Sequence, residues 1–136
     1  MKYAIKVSVQ DVKAKIFAFA SQKTMYGGKK VAKGDTIFVF ASENEGGVGL
    51  IARGVIVAAE PVARKLGVVR QTPRVSVVIK RTGVTKQALG RNSLKRFSDW
   101  DDGRPETELN FKFYRQATNK IVEISDEAAA YLDTFF

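Results

Sequence analysis

Residues 33–59 read KGDTIFVFASENEGGVGLIARGVIVAA, two apolar runs joined by one polar turn. Asp35–Ala41, DTIFVFA, is continuously apolar over the length of a strand. Side chains on both faces of such a run must be buried, which predicts a central strand. Residues 43–47, ENEGG, predict a turn, because Asn and Gly tolerate the backbone angles of a reversal. Val48–Ala59 is a second, longer apolar strand, and Arg53-Gly54 in its middle predicts a bulge or bend.

The flanks extend the same sheet. Lys2–Val9 alternates, with Tyr3, Ile5, Val7 and Val9 on one face, and Arg74–Arg81 turns Val75, Val77 and Ile79 inward. Asp11–Ala20 admits two readings: Val12, Ile16 and Phe19 suit a helix, and IFAFA suits an extended chain. Ser21–Lys33, with Tyr26-Gly27-Gly28-Lys29-Lys30, predicts a flexible loop. A short basic helix is expected around Lys86–Leu89, stopped by Gly90, and Asp99–Glu108 reads as a polar loop around the only tryptophan.

Thr107–Ser125, TELNFKFYRQATNKIVEIS, reads as extended in its first half. That sets Leu109, Phe111, Phe113 and Arg115 on one face and Asn110, Lys112, Tyr114 and Gln116 on the other. Lys120–Ile124 is a further short strand. Ser125 is a good N-cap, Asp126 and Glu127 favour the dipole of the helix that follows, and Ala128, Ala129, Leu132, Phe135 and Phe136 form its apolar stripe. The sum is one α+β domain over residues 1–136, with about five to seven strands in a curved or barrel-like sheet and two or three short helices.

The chain contains no cysteine and no histidine. This excludes a disulfide framework, Cys- or His-based nucleophiles, a His general base and the usual zinc sites, and no metal or other cofactor is expected. No apolar run approaches the ~18–20 residues that span a bilayer. MKYAIKVSVQ lacks the apolar centre of a signal peptide, and a cytoplasmic location away from membranes is expected. Net charge is +9 and unevenly spread: Pro61–Ser98 holds ten Lys/Arg and no acid, whereas from Asp99 onward nine acids face four bases. A block of one sign attracts polyanions, so nucleic acid is the expected partner.

Three motifs carry a family resemblance. Lys33–Ser42, KGDTIFVFAS, resembles the K-x-G-D-x-hydrophobic strand of the PUA-like superfamily. Gly46–Ile56, GGVGLIARGVI, resembles the G-I-V-G-I-A-E-V-V run that follows it. FYRQ at 113–116 with KIVEISDE at 120–127 is similar to the R-Q-x-R-I-x-P-L-T-x-E-E ending of EVE domains. The chain departs from that pattern where SQKTMYGGKK replaces a D-G-V-R-N-Y-like loop and where the strand ends FASEN rather than Tyr-His-Ser-Asn. The resemblance implies a PUA-like mixed barrel whose mouth accepts one base of RNA or DNA, modified or not; in the ASCH branch it implies hydrolysis of a modified nucleoside.

On that resemblance the expected site is a base pocket. Tyr26 and Trp100 are the stacking candidates, Trp100 serving equally as a core plug under its loop. Ser42 and Asn44 match the Ser-Asn of the family pattern and, with Gln116, are candidates for the base edge. Arg115, following Phe111 and Phe113 on an apolar face, would be a buried cation. It is either a brace paired with Glu60, Glu108 or Glu123, or the floor of the pocket. Lys29, Lys30, Arg91, Lys95 and Arg96 are expected to hold phosphates. No catalytic residue is expected; the alternative is an ASCH-like amidohydrolase with Lys23 as base, Thr24 as nucleophile or positioner and Glu43 as proton shuttle.

Overall fold

The computed structural model describes residues 1–136. Six strands, β1 (Lys2–Val7), β2 (Ile16–Met25), β3 (Thr36–Ala41), β4 (Gly49–Pro61), β5 (Arg74–Val84) and β6 (Lys120–Glu123), close into a barrel in the order β1-β3-β4-β5-β2-β6. β1 runs parallel to β3 and β2 parallel to β6, and the remaining neighbours are antiparallel. Three helices, α1 (Arg91–Leu94), α2 (Pro105–Phe113) and α3 (Asp126–Asp133), pack outside it. No helix is long and apolar enough to cross a membrane.

β3 is the central strand its composition demands, because each of its faces meets a different core. Ile37, Val39 and Ala41 point into the barrel with Tyr3, Ile5, Val75, Val77 and Ile79. Phe38 and Phe40 point outward with Ala4 and Val122, under Leu94 of α1, Leu109 and Phe113 of α2, and Leu132 of α3. The bulge expected in β4 is present, its register with β5 shifting at Arg53/Gly54. A Cβ on Gly54 would lie 2.7 Å from the Lys80 carbonyl oxygen, so the close approach requires glycine. At the C-terminus Ser125 caps α3, its Oγ accepting from the Ala128 N–H at 3.0 Å.

Three readings are corrected. The two readings of Asp11–Ala20 resolve to strand from Ile16, and the loop expected from Ser21 begins only at Tyr26, because β2 continues through Ser21–Met25. Gly90 starts α1 rather than ending a helix before it. The largest change is Thr107–Phe113, which is helical. Pro105 occupies the first turn, where its missing N–H costs nothing, and Glu106 and Glu108 favour the helix N-terminus. Leu109 and Phe113 are buried in both descriptions, since a spacing of four falls on one face of a strand and one face of a helix alike.

Candidate nucleic-acid interface

Where β3 leaves the barrel and β6 enters it, residues 42–47 and 114–119 form two facing turns. With the later part of β2 and the start of β5 they border an open pocket of about 300 Å³, lined among others by Gln22, Lys23, Asn44, Glu45, Arg74 and Asn119. No aromatic residue lines it. Asn119 donates to Glu45 Oε1 at 2.7 Å and Gln22 to the Ala20 carbonyl at 2.9 Å, which leaves both amide oxygens without a protein donor. Asn44 donates to the Ala117 carbonyl at 3.4 Å and accepts from Arg91 at 3.3 Å.

The pocket shares Ser21, Lys23 and Arg74 with a larger cleft of about 710 Å³ beneath the 62–73 loop. Lys23, Lys29, Arg64, Lys65 and Arg74 line this cleft, no carboxylate does, and none of the five forms an ion pair. Arg74 is oriented by donating to the Ser21 carbonyl at 2.6 Å, and Arg64 by donating to Val69 O at 3.3 Å. Gln71 braces the loop: its amide accepts from the Lys65 N–H at 2.9 Å and donates to the carbonyls of Lys65 at 2.7 Å and Val68 at 3.1 Å. Five unneutralised cations around one concavity focus a positive potential into it.

Residues 114–119 also cover two buried lysines. Lys6 and Lys120 pair across β1 and β6, each 1% exposed. Lys6 Nζ donates to Phe113 O at 2.9 Å, and Lys120 Nζ to the carbonyls of Gln116 and Thr118, both at 3.0 Å. They bind carbonyls at the C-terminal end of α2 and in the turn that follows, where a helix leaves its last carbonyls free. Burial, and then the neighbouring Lys6 charge, bring the Lys120 ammonium down to about 8. Burial lowers Lys6 as well, with Glu43 opposing it. Glu43 accepts from the Tyr114 hydroxyl at 3.0 Å and the Arg91 N–H at 2.6 Å. Burial and this carboxylate push the Tyr114 hydroxyl far above the ordinary tyrosine value. Ser42 Oγ, next in the chain, is buried without a partner.

A separate surface forms on α2. The Phe111 ring lies 5.4 Å from Trp100 and 5.7 Å from Tyr26, and the Arg115 guanidinium sits 4.4 Å from its centroid. Trp100 and Tyr26 remain 42% and 37% exposed.

No family model matches the chain, and no curated protein matches it in sequence. Solved structures do. The DUF55 domain of human thymocyte nuclear protein 1 is similar with a TM-score of 0.66 at 14% identity, over 98% of this chain and 97% of its own. Human THYN1 in complex with 5-methylcytosine-containing DNA gives 0.66 at 15% identity, over 98% and 95%. A protein from Pseudomonas syringae gives 0.61 at 15% identity over the full length of both chains. The fold is that of these structures, a closed six-stranded PUA-like mixed β-barrel with helices outside it.

On this barrel the expected site residues separate. Asn44 lines the pocket and Ser42, two residues before it, is buried outside the lining, whereas Tyr26, Trp100 and Arg115 belong to the α2 surface. Arg115 is neither brace nor pocket floor: it is exposed, forms no ion pair and, from the bend just past α2, lies over the Phe111 ring. Gln116 is exposed, with only its carbonyl engaged by Lys120. Among the phosphate candidates Lys29 lines the cleft, Lys30 lies near Tyr26 and Arg91 is tied to Asn44. Lys95 and Arg96 are exposed beyond α1, Arg96 lying 4.9 Å from the Phe97 centroid. Lys23, Arg64, Lys65 and Arg74 join the site through the fold. Of the hydrolase alternative, the Thr24 hydroxyl donates to Pro73 O at 2.7 Å, and the Glu43 oxygens accept from Tyr114 and from the Arg91 N–H.

Proposed function

We propose that this chain is a non-enzymatic nucleic-acid-binding module that holds a phosphodiester strand in the cation-lined cleft and offers the adjoining amide-lined pocket to a base. One observation carries this reading: five cations line the cleft without a carboxylate among them, and the cleft shares Ser21, Lys23 and Arg74 with the pocket. Phosphates supply the missing counter-charge, and the free amide oxygens of Gln22 and Asn119 suit the amino edge of a base. The DNA complex of THYN1, which shares the fold, supports 5-methylcytosine DNA as the first ligand to test. The pocket has no aromatic wall, so stacking falls to the Arg74 guanidinium inside it and to the Trp100–Phe111–Tyr26 surface for bases outside it.

The test is binding of oligonucleotides with and without 5-methylcytosine at two salt concentrations. Affinity should fall steeply with salt, and Lys65→Glu with Arg74→Glu should reduce the slope of log K against log salt by about 0.7–0.9 per lost phosphate contact. Absence of binding at low salt would remove the reading.

A further inference from the structure

The 62–73 loop projects aliphatic side chains that the fold does not use. Leu66 is 101% exposed and Val69 88%. They stand between Arg64 and Lys65 on one side and Arg70 and Arg74 on the other, with no acid in the segment. The Gln71 bonds to Lys65 and Val68 hold the loop in shape, so the exposure belongs to an ordered turn. The base of the same loop is a wall of the basic cleft. Aliphatic groups flanked by cations complement a target that is anionic outside and apolar within, which describes a base stack beneath its phosphates.

We propose that the 62–73 loop is a wedge that inserts Leu66 and Val69 into the base stack of a DNA duplex while the cations of the cleft hold the adjoining phosphates. The proposal rests on the nucleic-acid reading above and deepens it by naming a duplex as the ligand. A base drawn into the neighbouring pocket leaves a gap in its stack, at a cost of about a few kcal/mol. Aliphatic side chains entering that gap replace part of the lost contact, as apolar wedges do at kinked base steps. The loop and the pocket lie along one cleft, joined through Lys23 and Arg74, which places a phosphate-holding surface between them.

The experiment uses the full chain and a duplex carrying 2-aminopurine beside a 5-methylcytosine, compared with the matching single strand. Binding of the wild type should raise 2-aminopurine fluorescence as the stack opens. The double variant Leu66→Ser/Val69→Ser, changed only at exposed positions, should lose that rise and about tenfold of duplex affinity. It should keep single-strand affinity, salt slope and thermal unfolding midpoint. A double variant that retains the fluorescence rise overturns the wedge and leaves the binding reading intact. Binding to phosphatidylglycerol vesicles that the double variant loses would assign the loop to an anionic membrane and overturn the wedge as well. A wild type that binds neither DNA form at low salt overturns the underlying reading and the wedge together.

Discussion

Glu108 shows how much of this molecule turns on single buried charges. Its carboxylate accepts from the Ser125 hydroxyl, from the Ser125 N–H at 2.9 Å and from Lys112 Nζ at 3.0 Å, tying α2 to the start of α3. Burial opposes ionisation there, but the Ser125 donors and the Lys112 ammonium outweigh it and hold the carboxyl below its ordinary value. A carboxyl so depressed adds stability above its unfolded value and loses it as pH falls through the folded one. Glu108→Gln should therefore cost about 1–3 kcal/mol at pH 7, and less at pH 3, in urea unfolding. Lys120 is depressed as well, by burial and the Lys6 charge, so its pH slope has the same direction but falls in an alkaline window. Its folded value near 8 lies below the unfolded one, so the unfolded chain binds more protons between them and stability rises with pH from about 8 to about 10. Lys120→Met should flatten that rise in the same measurement. Neither Lys6 nor Lys120 is legible as buried from sequence: alternation places them opposite the barrel core, and only the helices make that outer face an interior.

At the scale of elements, β1 and β5 were legible from alternating apolar residues, β3 and β4 as apolar runs of strand length joined by a turn, and β6 as a short apolar stretch before the Ser125 cap. α2 was not, for a physical reason. Leu109, Phe111 and Phe113 satisfy strand alternation, and the helix buries only the outer two deeply while Phe111 stays half-buried. The contrary signal was local: Arg104-Pro105-Glu106 is a helix start, with proline in the first turn and acids behind it. Phe111 faces outward to gather Trp100, Tyr26 and Arg115. Because Trp100 is the only tryptophan, its emission reports this cluster alone. Phe111→Ala should shift that emission to the red and cost about 1–2 kcal/mol in denaturant unfolding. Unchanged emission would mean that Trp100 does not rest on α2 in solution.

For the whole molecule, the distribution of charge separates structure from binding. Several acids serve helix starts and ties: Glu106 and Glu108 in the first turn of α2, Asp126 and Glu127 in that of α3, and Asp133 bonded to Arg53 at 2.6 Å. The cleft cations have no such partner. The basic block was legible in the sequence, but its focus was not, since Lys23 and Lys29 lie outside it. Antiparallel pairing of β2 with β5 sets Lys23 opposite Arg74 and brings the two regions together. The fold thus ranks cations that the sequence leaves equal. Lys65→Glu/Arg74→Glu should abolish most oligonucleotide binding at 50 mM salt, whereas Lys95→Glu/Arg96→Glu, with the same change in net charge, should weaken it only by long-range attraction. At 200 mM salt that long-range part is largely screened, so Lys95→Glu/Arg96→Glu should approach wild type, while the shallower salt slope of Lys65→Glu/Arg74→Glu should narrow its deficit without closing it. Equal losses in both variants would show that net charge, and not the cleft, holds the nucleic acid.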